Sequence, residues 1–373
     1  MVPSLIYPLE ALTCLISLAL ASPLFYAGLL SSSPALTIRT STGYYTGKLN
    51  QNWTNVREFL NVPYGRSTAG SNRFMPPQAV PMSSKHFNAT DYAPFCPQYV
   101  SGSKAIWNQE IPQYLSLWNY SGNFFEPENF RSGEPANFAS EDCLSLAIWT
   151  PANATSLAQL PVAMFWTGGG FQTNGILVPG QLPPSWVSRT QEHIVVTINY
   201  RMNIIGFPNA GGIPRQNLGL LDQRLALEWV RDNIVHFGGD PSRIMIWGQS
   251  AGAWSVDLYN FAYWDDPIAH AIFAESGNVY AGSTNTDPEH SNFTFVAKNV
   301  GCDYPNNYTA ELACMQKVDV NEIVAFMGRY QDNSSSVAPA QPSISFSVVA
   351  DEKVAFYNNT GKRPLRAAVK RLC

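Results

Sequence analysis

A serine placed between glycines has the clearest chemical potential in this chain. Ser250 is the centre of Gly248–Gly252 (GQSAG), a Gly-x-Ser-x-Gly pattern. Glycines allow a strand to turn sharply into a helix, and such a turn lifts the serine hydroxyl above the sheet. There the hydroxyl can attack an acyl carbon, and the Ala251 N–H can face the oxyanion that forms. We interpret Ser250 as a nucleophile; the alternative is an ordinary serine in a glycine-rich turn.

Three consecutive glycines, Gly168–Gly170, could complete such a site. They follow the short apolar run Pro161–Trp166, which predicts a strand. Glycines let backbone N–H groups approach a ligand closely. In an acyl-transfer site these N–H groups would stabilise the oxyanion together with Ala251. The alternative interpretation is a flexible loop.

The segments around both motifs predict how they are positioned. The β-branched run His193–Asn199 predicts a buried strand, as does Arg243–Trp247. Leu220–Phe237 has apolar residues at helical spacing, and Gly238–Pro241 ends that helix. Ile268–Ala274 predicts one more strand. This alternation indicates an α/β fold, with a mostly parallel central sheet covered by helices.

Composition is consistent with a large folded domain. The chain has 373 residues, of which 45% are apolar, and a net charge of −4. No basic run occurs before the extreme C-terminus, so we expect no nucleic-acid partner. Residues 41–150 are rich in Pro, Gly, Asn and aromatic residues, and predict only short strands such as Val56–Val62.

The beginning of the chain predicts export. Ala11–Leu30 carries no charge, and within it Ala11–Ala21 is similar to the apolar core of a signal peptide. We expect a signal peptide over residues 1–22, followed by a partial α/β domain over residues 34–373. The alternative is an uncleaved anchor, because the uncharged stretch is long enough to span a bilayer. No later segment is apolar enough, so we expect no stable membrane span once the leader is removed.

Sequons and cysteines also favour an extracellular location. Eight N-x-[S/T] sequons predict a glycosylated surface. They lie at Asn52, Asn88, Asn119, Asn153, Asn292, Asn307, Asn333 and Asn358. In an oxidising compartment cysteines tend to form disulfides rather than remain buried thiols. Cys302 and Cys314 could close a short loop, and Cys96 and Cys143 a longer one.

Taken together, the motifs resemble those of the type-B carboxylesterases, which include cholinesterases and fungal secreted lipases and esterases. The matching segments follow the family's order from about residue 40 to the end. They are Phe59–Tyr64, Arg73-Phe74, Glu141–Leu144, Phe165–Phe171, Thr197–Arg201, Asn217–Gln223, Phe237–Pro241, Gly248–Ala253 and Ser276-Gly277.

The resemblance implies an α/β-hydrolase with Ser250 as nucleophile. It assigns the oxyanion hole to the N–H groups of Gly169, Gly170 and Ala251, and it implies no cofactor and no metal. It implies disulfides Cys96–Cys143 and Cys302–Cys314. Ser276 matches a serine that supports the catalytic acid in the family; the alternative is a strand-end hydroxyl.

Two positions near the motifs differ from the family pattern. Thr167 precedes the glycines where relatives usually have His or another ring, which could loosen the loop. Gln249 replaces the Glu of many relatives. A carboxylate beside the serine would favour cationic substrates, so Gln249 makes a choline-type preference less expected.

The third departure concerns the base and the acid. In this fold the acid and then a histidine follow the serine in the chain. Only His270 and His290 follow Ser250, and neither matches the family's catalytic histidine. Asp351 and Glu352 do not align with the acid. The basic tail Lys362–Cys373 predicts a truncated or mis-spliced end with late strands and helices missing; the alternative is a natural tail.

These observations favour a secreted hydrolase of small-molecule or lipid carboxylic esters that works through an acyl-enzyme. Without the acid and the histidine, we expect little or no turnover from this chain. We also expect the strand at Ile268–Ala274 to form an exposed sheet edge. A catalytically silent, cholinesterase-like binding protein and a non-functional fragment of a gene model are the alternatives.

Overall fold

The strands predicted from the sequence belong to one large sheet, and a second, small sheet is formed by other strands. The computed structural model describes residues 34–99, 136, 138–178, 181–280, 287–334 and 344–357. The strands there are β1 Thr37–Thr40, β2 Gly43–Thr46, β3 Lys48–Leu49, β4 Val56–Pro63, β5 His86–Asn88, β6 Ser145–Pro151, β7 Leu160–Trp166, β8 Ile194–Ile198, β9 Gly239–Gln249 and β10 Ala271–Glu275. The helices are α1 Pro184–Thr190, α2 Asn203–Gly206, α3 Leu218–Asn233, α4 Ala251–Ala262, α5 Ser291–Asn299, α6 Tyr308–Met315 and α7 Val320–Ser334.

The large sheet has seven strands in the order β10-β9-β7-β8-β6-β4-β3. Strands β8, β7, β9 and β10 run parallel to one another, whereas β6, β4 and β3 are joined antiparallel. The small sheet has the order β1-β2-β5. The α/β prediction is therefore confirmed, but the large sheet is mixed rather than mostly parallel, with three parallel and three antiparallel pairings among its described strands. The parallel half carries both candidate motifs.

Strands β7 and β8 are central because their residues are apolar and suited to burial on both faces. Every residue of β8 is buried, as are the last five of β7. Parallel strands of this kind are covered by helices on both sides. The predicted helix is also present: α3 covers Leu218–Asn233, and its C-terminal extension Ile234–Phe237 is a 3-10 helix that ends at Gly238 with φ 96°.

Alternating side chains of the sheet contribute to separate cores. Ala147 and Trp149 of β6 pack in the same cluster as Val187 of α1. Leu146 and Ile148 of the same strand join the cluster that contains residues of α3 and α4. Because successive side chains of a strand point to opposite faces, helices cover both faces of the sheet.

Helices α5, α6 and α7 form a further core. Phe293, Val296 and Ile323 are among its fully buried residues. Buried Arg73 connects this region to the preceding chain: its guanidinium forms an ion pair with Glu141 at 2.6 Å and donates to the Met315 carbonyl at 2.9 Å. No sequence pattern described above predicted these helices.

Strand β10 pairs with β9 and has no second neighbour among the described residues. Phe273 in β10 is 43% exposed. The predicted leader over residues 1–22 and the basic tail Lys362–Cys373 lie outside the described residues, as do Asn119 and Asn358. Over the ranges the structure covers, none of the helices has both the length and the hydropathy needed to cross a membrane.

Candidate active site

The candidate residues meet at one edge of the parallel half of the sheet. Ser250 follows β9, Gly168 follows β7 after one residue, and Ser276 follows β10 directly. Because these strands are parallel, their carboxyl ends lie at the same edge, where α/β folds bind ligands. The topology therefore brings together segments that are separated by up to about a hundred residues of sequence.

Ser250 adopts a strained conformation in the turn between β9 and α4. Its φ and ψ are 56° and −120°, and its hydroxyl forms no capping hydrogen bond to the helix. The Ser250 N–H donates to the Glu275 carbonyl at 2.8 Å, and its carbonyl accepts the Trp254 N–H at 3.0 Å. Strain of this type costs about 1–3 kcal/mol and persists where surrounding contacts enforce it. The residue is partly exposed, and its hydroxyl has no hydrogen-bond partner among the described residues.

Glycines make this turn possible because the backbones approach too closely for a side chain. A Cβ on Gly252 would lie 2.0 Å from the Trp166 carbonyl oxygen, and one on Gly248 would lie 2.4 Å from the Gly252 oxygen. A Cβ on Gly277 would lie 2.5 Å from the backbone carbonyl oxygen of Ser250. The turn is thus packed between the ends of β7 and β10.

The triglycine loop lies directly against the nucleophile turn. A Cβ on Gly168 would lie 3.1 Å from the Cβ of Ser250. Gly169 and Gly170 have φ values of 115° and 63°, which favour glycine. Neither of their N–H groups, nor that of Ala251, donates to an acceptor among the described residues. Among the described residues, these three backbone donors and the Ser250 hydroxyl therefore have no hydrogen-bond partner.

Gln249 led us to expect no carboxylate beside the serine, but the structure places one on the neighbouring strand. The β9–β10 register pairs Gln249 with Glu275. Paired residues of neighbouring strands share a face of the sheet, so a carboxylate lies one strand away from the neutral amide. Sequence reasoning missed Glu275, although it directly precedes the quoted Ser276-Gly277 segment. Thr167, the other departure, is buried and its Oγ1 lies 3.4 Å from Gln181 Oε1.

Ser276 lies next in the chain to the residue that binds the nucleophile turn. It is exposed, has φ 59°, and directly follows Glu275, whose carbonyl binds the Ser250 N–H. No hydrogen bond of its hydroxyl occurs among the described residues. Its proposed support of a catalytic acid stays a prediction.

The two histidines after Ser250 form hydrogen bonds with other residues. The backbone N–H of His270, next to the start of β10, donates to the Ile244 carbonyl. Ile244 is six residues before Ser250, so at ~3.3 Å per residue His270 lies ~20 Å away along the strand. His290 Nδ1 lies 2.9 Å from the Asn209 carbonyl oxygen, which makes it the donor of that bond.

The other three histidines also have other surroundings. His86 stacks on Tyr44, His193 bonds Thr190 Oγ1, and His236 is exposed in the 3-10 helix after α3. Asp351 uses one carboxylate oxygen to accept the N–H groups of residues 353–355, which stabilises a local turn. Within the described residues, no histidine is hydrogen bonded to Ser250.

Both disulfides implied by the resemblance are present. Cys96 is bonded to Cys143 and Cys302 to Cys314. The described residues contain no group of three or more His, Cys, Asp or Glu side chains arranged to hold a metal ion.

Comparison with known proteins places this geometry in a family. The sequence profile of the carboxylesterase family matches residues 34–369. The chain is 39% identical over 360 residues to a chlorogenic acid esterase of Aspergillus niger, covering 93% of this chain and 64% of the relative. It is 37% identical over 341 residues to secreted lipase 5 of Gibberella zeae, covering 87% of this chain and 60% of the relative.

A mouse cholinesterase is 35% identical over 275 residues, which cover 72% of this chain and 41% of the relative. The chain thus spans less than two thirds of the length of each of these relatives. The family profile covers the triglycine loop, the nucleophile turn and the two disulfides. This chain belongs to the carboxylesterase family.

Proposed function

We propose that the chain carries the nucleophile and the oxyanion donors of a secreted enzyme that hydrolyses carboxylic esters. Ser250 Oγ attacks the ester carbon, and the carbonyl oxygen becomes an oxyanion that accepts hydrogen bonds from Gly169, Gly170 and Ala251. The alcohol then leaves with a proton, and an acyl group stays on Ser250. Water hydrolyses this acyl-enzyme to the carboxylic acid and restores the hydroxyl.

One observation carries this proposal: the triglycine loop packs against a strained, partly exposed serine, and the N–H groups of Gly169, Gly170 and Ala251 have no acceptor among the described residues. Gly168 packs against Ser250, and Gly169 and Gly170 follow it with their donors unused among the described residues. An ordinary glycine-rich turn has no need of a serine at φ 56°. Relatives named esterase and lipase support a carboxylic ester as the substrate class.

The proposal includes slow chemistry for the chain by itself. A positioned base typically contributes about 10²–10⁴-fold to such a reaction. None of the five histidines is hydrogen bonded to Ser250 among the described residues. Oxyanion stabilisation and binding alone still leave a residual ~10³–10⁴-fold acceleration over water when a triad member is missing.

Secretion and glycosylation belong to the same proposal. Asn52, Asn88, Asn153 and Asn307 of the predicted sequons are exposed, so an oligosaccharide can reach them. Two relatives are named secreted lipases. An extracellular location fits the two disulfides, which persist in oxidising compartments.

Acylation of Ser250 tests the proposed chemistry directly. The secreted chain is incubated with 4-nitrophenyl butyrate, and the butyryl adduct is located by intact-mass and peptide mass spectrometry. We expect slow formation of a butyryl group on Ser250 in the wild type and none at that position in Ser250→Ala. Added imidazole, acting as an external base, should accelerate the Ser250-dependent part of nitrophenol release.

The controls separate the alternatives. A silent binding protein would fold and yet show equal nitrophenol release from the wild type and Ser250→Ala. Fast Ser250-dependent turnover without imidazole would support ester hydrolysis but contradict the slow chemistry proposed for this chain. Melting curves of both proteins establish that the comparison is made on folded material.

A further inference from the structure

Tyr200 connects the end of β8 to the start of the triglycine loop. It lies two residues after β8 and is completely buried. Its hydroxyl donates a hydrogen bond of 2.7 Å to the carbonyl oxygen of Thr167. Thr167 is the last residue before Gly168, so the bond is made to the peptide group from which the loop begins.

This contact restricts the loop where its freedom is greatest. Three glycines in succession have the widest choice of backbone conformation of any residues. The Thr167 carbonyl and the Gly168 N–H belong to one planar peptide group, so a bond to the oxygen orients the whole group. With its first peptide held, the loop is less free to turn the N–H groups of Gly169 and Gly170 toward other acceptors.

Tyr200 is itself held rigidly by its neighbour in sequence. The Arg201 N–H donates to Asp222 Oδ2 at 3.0 Å, and its guanidinium forms an ion pair of 2.7 Å with Asp222 Oδ1. Both side chains are 0% exposed. This ion pair attaches the segment after β8 to α3, and it therefore fixes the position of the Tyr200 backbone relative to the loop.

The same segment holds the far end of the loop. The Asn203 N–H donates to the Phe171 carbonyl at 2.6 Å, and its side chain donates to the Gln172 carbonyl at 3.3 Å. The loop is therefore attached to the segment after β8 on both sides of the glycines. Burial raises the pKa of the Tyr200 phenol, which keeps it protonated and able to donate at any ordinary pH.

We infer that Tyr200 is a positioning residue, whose hydroxyl holds the triglycine loop in the shape that presents the Gly169 and Gly170 N–H groups to an oxyanion. The inference rests on the proposed function for its catalytic consequence. Its structural content, that the Tyr200 hydroxyl contributes to the order of the loop, does not.

Hydrogen–deuterium exchange of the full secreted chain tests the structural content. The variant is Tyr200→Phe, which removes one oxygen atom. The matched control is Tyr64→Phe: Tyr64 is equally buried, and its hydroxyl donates to the Asn199 carbonyl at 2.6 Å rather than to the loop. The readout is the peptide covering residues 167–175, where the Gln172 and Thr173 N–H groups bond the Gly169 carbonyl. We expect exchange ~10-fold faster in Tyr200→Phe and within ~2-fold of wild type in Tyr64→Phe.

Acylation of Ser250 by 4-nitrophenyl butyrate tests the catalytic consequence. We expect the acylation rate of Tyr200→Phe to fall ~10-fold with little change in the half-saturating ester concentration, because oxyanion bonds strengthen in the transition state. Equal effects in both tyrosine variants, or none in either, would overturn the inference.

Should Tyr200→Phe not fold, Asn203→Gly, which removes the side-chain bond at the far end of the loop, must give the same faster exchange. If the wild type shows no Ser250-dependent acylation, the proposed function fails, and the exchange data still decide the role of Tyr200.

Discussion

Helices α4 and α6 both begin at a residue that can cap a helix, and only α6 uses its cap. Asn307 precedes α6 with φ −130° and ψ 75°, and its Oδ1 accepts the Ala310 N–H at 3.1 Å. Ser250 precedes α4 with φ 56° and ψ −120°, and its hydroxyl makes no such bond. Serine and asparagine are both strong N-cap residues, so residue type does not explain the difference.

The surroundings of the two helices explain it. The cap of α6 is local, formed within four residues of sequence. The start of α4 is determined by distant segments: Glu275 of β10 accepts the Ser250 N–H, and the end of β7 contacts Gly252. Near α6 the chain gains stability from its own hydrogen bonds. At Ser250 the sheet enforces a costly conformation that leaves the hydroxyl free for chemistry.

The largest loss of stability should come from adding a side chain at Gly252, where the nucleophile turn contacts the end of β7. Gly252→Ala places a Cβ 2.0 Å from a backbone oxygen of β7, and overpacking of this kind costs about 3 kcal/mol or more. Gly301→Ala, in the loop after α5, meets open space but has φ 89°, which costs only ~1–2 kcal/mol. Melting temperatures of both variants, measured by calorimetry, check the difference. Similar losses in the two variants would show that the turn is not held as tightly as its contacts indicate.

A smaller difference in stability should appear when the side chains that precede α6 and α4 are removed. Asn307→Ala should lower the free energy of unfolding by ~1 kcal/mol, because the Ala310 N–H loses its acceptor. Ser250→Ala should leave it unchanged within a few tenths of a kcal/mol, since no capping bond is lost. The measurement is the denaturant midpoint of each variant.

Asn307→Asp is the control for this comparison, because it removes the sequon but keeps the acceptor. A loss in Asn307→Asp as large as in Asn307→Ala would assign the effect to a missing glycan. A clear loss in Ser250→Ala would mean that the hydroxyl stabilises the helix after all.

The smallest effect concerns pH in the α6 region. Burial raises the pKa of Glu311 above 4.5, and a hydrogen bond from Thr294 and the charge of His290 partly offset the shift. The native state therefore binds this proton more tightly than the unfolded state, so its contribution to stability falls as pH rises through the folded pKa. Glu311→Gln should be slightly more stable than wild type at pH 7, and the difference should shrink as pH falls through the folded pKa toward 4.5. Melting temperatures across this range check it; a constant difference would contradict the shift.

Local sequence patterns predicted the part of the fold that surrounds the nucleophile. Strands β7, β8 and β9 and helix α3 follow from apolar runs, helical spacing and glycine stops, with ends within a few residues of those observed. Strand β6 was missed: it is entirely buried, yet it lies in a stretch whose composition suggested irregular structure. Its identity as a strand depends on pairing with β4 and β8, which lie about 50 to 90 residues away.

The sequence alone determined which residues can do chemistry here, because a nucleophile turn requires glycines at fixed spacing around Ser250. The sequence alone could not determine which contacts position these residues. The Tyr200 bond to Thr167, the pairing of Gln249 with Glu275, and the burial of Arg201 with Asp222 arise only when parallel strands bring their ends together. Contacts between residues far apart in the chain leave no local period or composition to detect, and they are what set the geometry of the site.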